Sequence, residues 1–140
     1  MDLIDPSADD DPTLRLETAT AERFARALDI ADRQASQAVT ACFASSYGKS
    51  IVRSGSYLRL PPAQGPHPLR RFSPTEVARL PGFPADYHWS HIQPGKPERL
   101  TLTNRVRAQR LQWKLLGNSL SIPVVRHVLQ HLPMINDFRQ

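Results

Sequence analysis

The run Pro61-Pro62-Ala63-Gln64-Gly65-Pro66-His67-Pro68 constrains this chain more than any other feature. Its four prolines cannot be helix interior, since each removes a backbone donor and its ring clashes with the preceding turn. The run reads as a connector, and regular structure has to be built on either side of it. The whole chain has 140 residues and 13 prolines, a one-domain length. A complete doubly wound sheet does not fit comfortably in it.

Charge is distributed unevenly. Residues 1 to 40 hold nine Asp or Glu against four Arg, whereas residues 41 to 140 hold fourteen Lys or Arg against four acids, a net charge of +10. A surface of that sign attracts a polyanion at long range and gains affinity from counterion release, so nucleic acid is the natural partner. A solvated basic face is the other reading of charge alone. No apolar run approaches the roughly eighteen residues of a membrane span. The start, Met1-Asp2-Leu3-Ile4-Asp5, is acidic where a targeting peptide would be basic, so cytosol or nucleus is expected. The single cysteine, Cys42, excludes an internal disulfide and cannot alone form a thiolate metal site.

Along the chain, residues 1–12 form an acidic segment with too little apolar surface to offset ordering entropy, and disorder is expected there. Thr20 is a candidate cap for a helix through Ile30, with Phe24, Ala27 and Leu28 on one side. Ile51-Val52 and Tyr57-Leu58 then read as short strands joined by a tight turn at Ser54-Gly55-Ser56. Residues 13–60 form one unit, 61–70 the proline-rich linker, and 71–140 a second unit.

Ser73-Pro74-Thr75-Glu76 opens that second unit with a strong helix start. Serine caps, proline takes the first helical position, and Glu76 returns a bond to the serine nitrogen. Pro81 and Pro84 end this helix of one or two turns and hold Phe83 in a turn, where the ring serves equally as a core plug or a ligand contact. Thr103 or Asn104 would cap a helix to Leu116, with Gly117 suited to a left-handed stop. A last helix is expected from about Ser121 to Leu132. The Gly117-Asn118-Ser119 turn between these helices lies where free backbone N–H groups and the helix dipole favour a polar ligand atom. His127 and His131 share a helix face, but with no glutamate after His127 and no third ligand, zinc is not expected. In His88-Trp89-Ser90-His91, Trp89 reads as a packed or half-buried ring.

Arg71-Phe72-Ser73-Pro74-Thr75-Glu76-Val77-Ala78-Arg79-Leu80-Pro81-Gly82-Phe83-Pro84, followed by Leu115-Leu116-Gly117-Asn118-Ser119-Leu120-Ser121-Ile122-Pro123-Val124-Val125, resembles the carboxyl-terminal end of cytosine-5 methyltransferases. Upstream, Thr40-Ala41-Cys42-Phe43-Ala44-Ser45-Ser46-Tyr47-Gly48-Lys49 and Ser54-Gly55-Ser56-Tyr57-Leu58 resemble the target-recognition segment of the DNA-methyltransferase-like enzymes that methylate a tRNA anticodon-loop cytosine. Those typically carry Cys-Phe-Thr, then Tyr-Gly, then Gly-Thr-Gly-Ser. Ala44 and Arg53-Ser54 depart from that pattern. The similarity covers about residues 13 to 132.

The resemblance implies an α+β fragment: a small recognition subdomain of helix and short strands, and C-terminal helices that would complete an S-adenosylmethionine-dependent α/β domain. It assigns Asn118 and Ser119 to the cofactor pocket, with Phe83 at its border, and Cys42, Phe43, Tyr47, Gly55 and Ser56 to nucleic-acid recognition. Charge adds Lys49, Arg53 and Arg59 as phosphate contacts, a solvent-facing role being equally open for each. No catalytic residue is assigned: the chain has no Phe-x-Gly-x-Gly turn, Pro-Cys loop or Glu-Asn-Val segment, and Cys42 follows alanine without an evident activating base. The expected function is the C-terminal portion of a tRNA-type enzyme, inactive alone and working within a longer chain or with a separate N-terminal catalytic chain. DNA as substrate and a noncatalytic RNA-binding or regulatory remnant are the alternatives. Helices meant to cover a missing sheet should leave Val124, Val125 and Leu129 uncovered.

Overall fold

The computed structural model describes residues 3–33, 39–61, 68–89 and 101–132. The connector interior at 62–67, the Ser90-His91 end of the aromatic loop and residues 133–140 lie outside them. The elements are α1 (Thr18–Arg23), β1 (Ile30–Ala31), β2 (Tyr57–Arg59), β3 (Leu69–Arg71), α2 (Pro74–Arg79), α3 (Leu102–Leu116) and α4 (Ile122–His131). The fold is small and mixed α+β, with one three-stranded sheet in the order β1-β2-β3.

β1 runs parallel to β2, pairing Ile30 with Tyr57, and β2 runs antiparallel to β3, pairing Leu58 with Arg70. Side chains alternate across the sheet. Tyr57 joins Leu16, Ala21 and Leu69 in one apolar cluster, while Leu58 joins Leu14, Tyr47, Phe72, Val77, Trp113 and Leu116 in the larger one. Residues 14–16 run beside β3, with the Leu16 nitrogen donating to Leu69 at 2.9 Å and the Arg71 nitrogen to Leu14 at 2.8 Å.

Several expectations change. The acidic N-terminus is ordered over its described part: Pro6–Asp10 forms a 3-10 turn capped by Asp5. Asp9 accepts from Arg70 Nε at 2.8 Å and from Arg33 at 2.8 Å. Composition misled here because ionic bonds add to the burial of Ala8 and the packing of Ile4 against the larger core. α1 starts at Thr18 behind Glu17 and stops at Arg23, leaving Ala27 exposed, because Asp29 to Ala31 is drawn into the sheet, where the Tyr57 nitrogen donates to Asp29. Ile51-Val52 is irregular, with the Tyr57 hydroxyl donating to the Ile51 carbonyl at 3.0 Å. The linker ends before 70, since Leu69 and Arg70 belong to β3. Sheet and larger core thus straddle the boundary drawn between residues 60 and 71.

α2 has the full capping box at Ser73 and Glu76. α3 is capped by Thr101, whose hydroxyl accepts from the Asn104 nitrogen, two residues before the earliest expected cap. Gly117 is right-handed, with φ −67°, rather than a left-handed stop. Its lack of a side chain serves close approach: a Cβ there would collide with the Ser45 backbone nitrogen and the Ala44 carbonyl carbon.

Candidate functional site

The segment from Cys42 to Ser56 is held from inside by one ring. Tyr47 is 1% exposed, its hydroxyl donating to the Ser56 carbonyl at 2.7 Å and accepting from the Phe72 nitrogen at 2.9 Å. Edge-to-face contacts tie it to Phe43 at 4.8 Å and Trp113 at 5.2 Å. The Trp113 indole donates to the Phe72 carbonyl at 3.1 Å. Burial pushes the Tyr47 phenol far above the ordinary range, so it stays neutral and serves as a hydrogen-bonding hub.

This geometry divides the expected recognition residues. Cys42, Lys49 and Arg53 are exposed, and Phe43 is half-buried against Tyr47 and Phe72. Tyr47, Gly55 and Ser56 are buried. A Cβ on Gly55, at φ 149°, would stand 2.6 Å from the Phe43 ring, and the Ser56 hydroxyl donates to Asp29 while accepting from the Ala41 nitrogen. These three shape the loop. Arg53 sits at φ 57°, a left-handed conformation uncommon for a side-chain-bearing residue. Arg59 is exposed, 3.8 Å from Asp32.

The second part of the site follows α3. The Asn118 nitrogen donates to Leu115 at 3.1 Å, its side chain is exposed, and its carboxamide has no hydrogen-bond partner among the described residues. The Ser119 hydroxyl donates to Leu116 at 2.7 Å, leaving its lone pairs free to accept. At the start of α4 one expected free donor is already used, because the Ile122 nitrogen donates to Pro81 at 2.7 Å. That bond, with Gly82 packed on Pro123, brings the Pro81-Gly82-Phe83 turn to the head of α4. Phe83 is half-buried against the core, its ring 4.9 Å from Tyr87. Gly117 sits against Ala44 and Ser45, so the Asn118 turn adjoins the loop from Cys42 to Ser56. No group of His, Cys, Asp and Glu suited to a metal occurs among the described residues.

Among known proteins, mouse tRNA (cytosine(38)-C(5))-methyltransferase is 32% identical over 128 residues, covering 76% of this chain and 27% of that protein. The human protein of the same name is 30% identical over 131 residues, covering 79% and 29%, and a Dictyostelium discoideum DNA (cytosine-5)-methyltransferase is 30% identical over 106 residues, covering 69% and 24%. The chain belongs with the cytosine-5 methyltransferases. It spans little more than a quarter of the length of the curated relatives it matches. No family model matches it. The fold agrees: a methyltransferase from Entamoeba histolytica superposes with a TM-score of 0.63 at 21% identity, covering 93% of this chain and 38% of that one. The S. pombe Dnmt2 methyltransferase gives 0.60 at 23%, covering 84% and 36%.

A buried ion pair ties α2 to β3. Arg70, 0% exposed, makes paired bonds of 2.8 Å to both Glu76 carboxylate oxygens, and Glu76 also accepts from the Asp5 and Ser73 nitrogens. The capping box signalled Glu76's local bond; its ion pair with the sheet had no local signal.

Proposed function

We propose that this chain is the C-terminal portion of a cytosine-5 methyltransferase acting on tRNA, supplying target recognition and one edge of the cofactor site. The observation that carries the reading is the seating of Gly117 on the Ala44–Ser45 backbone, which joins the Asn118-Ser119 turn to the recognition loop as one packed unit. Cys42, Lys49 and Arg53 present the loop's exposed groups to nucleic acid, with Phe43 available for stacking if its half-buried ring turns outward. The nucleophile comes from the remaining part of the enzyme, in the same polypeptide or a separate chain. Cys42 is exposed and no side chain among the described residues is bonded to it as an activating base.

S-adenosylmethionine, when bound, supplies the electrophilic methyl group. The residues present fit one wall of its site: the Asn118 carboxamide is exposed and unpartnered among the described residues, and the Ser119 hydroxyl retains accepting lone pairs. Phe83 borders that wall with an apolar ring. Because α4 buries none of its residues, it offers the rest of the α/β domain a surface to pack on. No helix among the described residues is long and apolar enough to cross a membrane; cytosol or nucleus suits the proposed substrate.

Grafting the chain in place of the matching segment of the S. pombe relative, and measuring methyl transfer to tRNA and to duplex DNA, tests the reading. Transfer to tRNA that Asn118→Ala lowers about tenfold is expected. A folded chimera that methylates only DNA would remove the tRNA assignment, and one that binds cofactor equally well with Asn118→Ala would remove that residue's role.

A further inference from the structure

α3 carries Arg105, Arg107, Arg110 and Lys114 and no acidic residue. Arg105 is engaged with Asp11 at 2.9 Å, and Gln109, a turn further on, donates to Thr13 at 2.8 Å, so this side of the helix is fixed to the N-terminal arm. Arg107, Arg110 and Lys114 are exposed and form no ion pair among the described residues. Their spacing of three and then four residues places them on one face, opposite Arg105, Gln109 and the buried Leu116. Like charges at that spacing repel and weaken the helix. The row covers about 10 Å of helix axis at 1.5 Å per residue and ends one turn before Asn118, where Gly117 meets the recognition loop.

We infer that the Arg107-Arg110-Lys114 face of α3 is a second contact surface for RNA, gripping phosphates while the loop at Cys42 to Arg53 meets the target nucleotide. This rests on the nucleic-acid reading above and extends it. Three long cations on a preformed helix hold a backbone in register without reading its bases. The polyanion repays the repulsion within the row, and displaced counterions add affinity that falls as salt rises.

The test is fluorescence anisotropy of labelled tRNA with the full 140-residue chain across a salt series. Arg110→Ala with Lys114→Ala should weaken binding about tenfold and lower the slope of log affinity against log salt by about 1.4 to 1.8. Arg26→Ala with Arg126→Ala, which removes equal charge from exposed positions elsewhere, should stay within about twofold. Equal weakening by both pairs would overturn the proposal in favour of bulk charge. Unchanged binding by the α3 pair, with tight binding by the parent, would overturn it and leave the tRNA reading standing. A parent chain that binds no tRNA would overturn both, and tighter binding of duplex DNA would overturn the RNA assignment. Circular dichroism on every variant ensures that folded proteins are compared.

Discussion

Around Tyr47 the chain is packed as the centre of a finished domain, with Phe43, Phe72 and Trp113 in edge-to-face contacts and the Tyr47 hydroxyl and Trp113 indole both bonded. α4 has an equally apolar sequence and buries nothing: Val124 is 61% exposed and Leu129 63%. The two regions differ in what covers them, since both carry large hydrophobic side chains at helical or strand spacing. One region has solved its own packing; the other leaves Leu120, at its head, and Val124, Val128 and Leu129 exposed. Val125, expected to be uncovered with them, is half-buried.

Truncating the packed side is the most direct way to break this contrast. Trp113→Ala removes a buried ring, its bond to Phe72 and the surface on which Gly48 packs. A loss of about 3–5 kcal/mol is expected in urea unfolding. Glu76→Gln attacks the same region through charge, leaving the buried Arg70 with Asp9 as its remaining anionic partner; about 3 kcal/mol should be lost. Recovery of most of that loss with Arg70→Met added would show that the undercompensated cation, rather than the missing carboxylate, is what costs.

How much of this was legible in the sequence depends on distance along the chain. The capping box of α2 was readable because Ser73 and Glu76 are three residues apart, and the ending of α3 before Asn118 because Gly117 marks it. The reason for that glycine was not readable. A helix stop and a close approach look alike in sequence, and the neighbour at Ala44 and Ser45 is some seventy residues away. The Arg70 and Asp9 bond spans 61 residues, so composition alone made Asp9 part of a floppy acidic tail. The site shows the same division. The resemblance marked Cys42 to Ser56 as the expected recognition segment, but which of its residues face solvent is decided by Tyr47 turning inward, and that needs Phe72 and Trp113 in place.

Gly117→Ala acts at the joint between loop and helix. The added methyl collides with backbone rather than with a flexible side chain, so relief requires the loop or the end of α3 to move. About 1–3 kcal/mol of destabilisation is expected, with tRNA affinity falling further than stability if the joint sets the loop's position. Acid acts next on the N-terminal arm. Burial raises the Asp9 carboxyl, but its bonds to Arg33 and Arg70 outweigh this and hold it below its ordinary value near 3.8. A carboxyl lowered in the folded state stabilises above its unfolded value and loses that contribution as pH falls through its folded value. Stability should thus hold down to about pH 4 and decline below it, and Asp9→Asn should flatten that decline. An unchanged acid limb in the variant would assign the decline to other carboxylates.

The smallest effect on folding should come from the open face. Val124→Lys and Leu129→Lys replace side chains that are more than half exposed, and substitutions at such positions stay within about 0.5 kcal/mol. Charge on an apolar face also opposes association, so sedimentation should show less aggregate at equal concentration. A large loss of stability that shrinks on dilution would mean instead that copies of this chain cover α4 for one another, since dilution removes the stability that the parent gains by association. In the chimera with the S. pombe relative the same lysines should do what they do not do here: disrupt packing of α4 against the restored domain and lower methyl transfer. Harmless in the isolated chain and damaging in the completed enzyme, the substitutions would locate the difference between the two regions in the missing cover rather than in α4 itself.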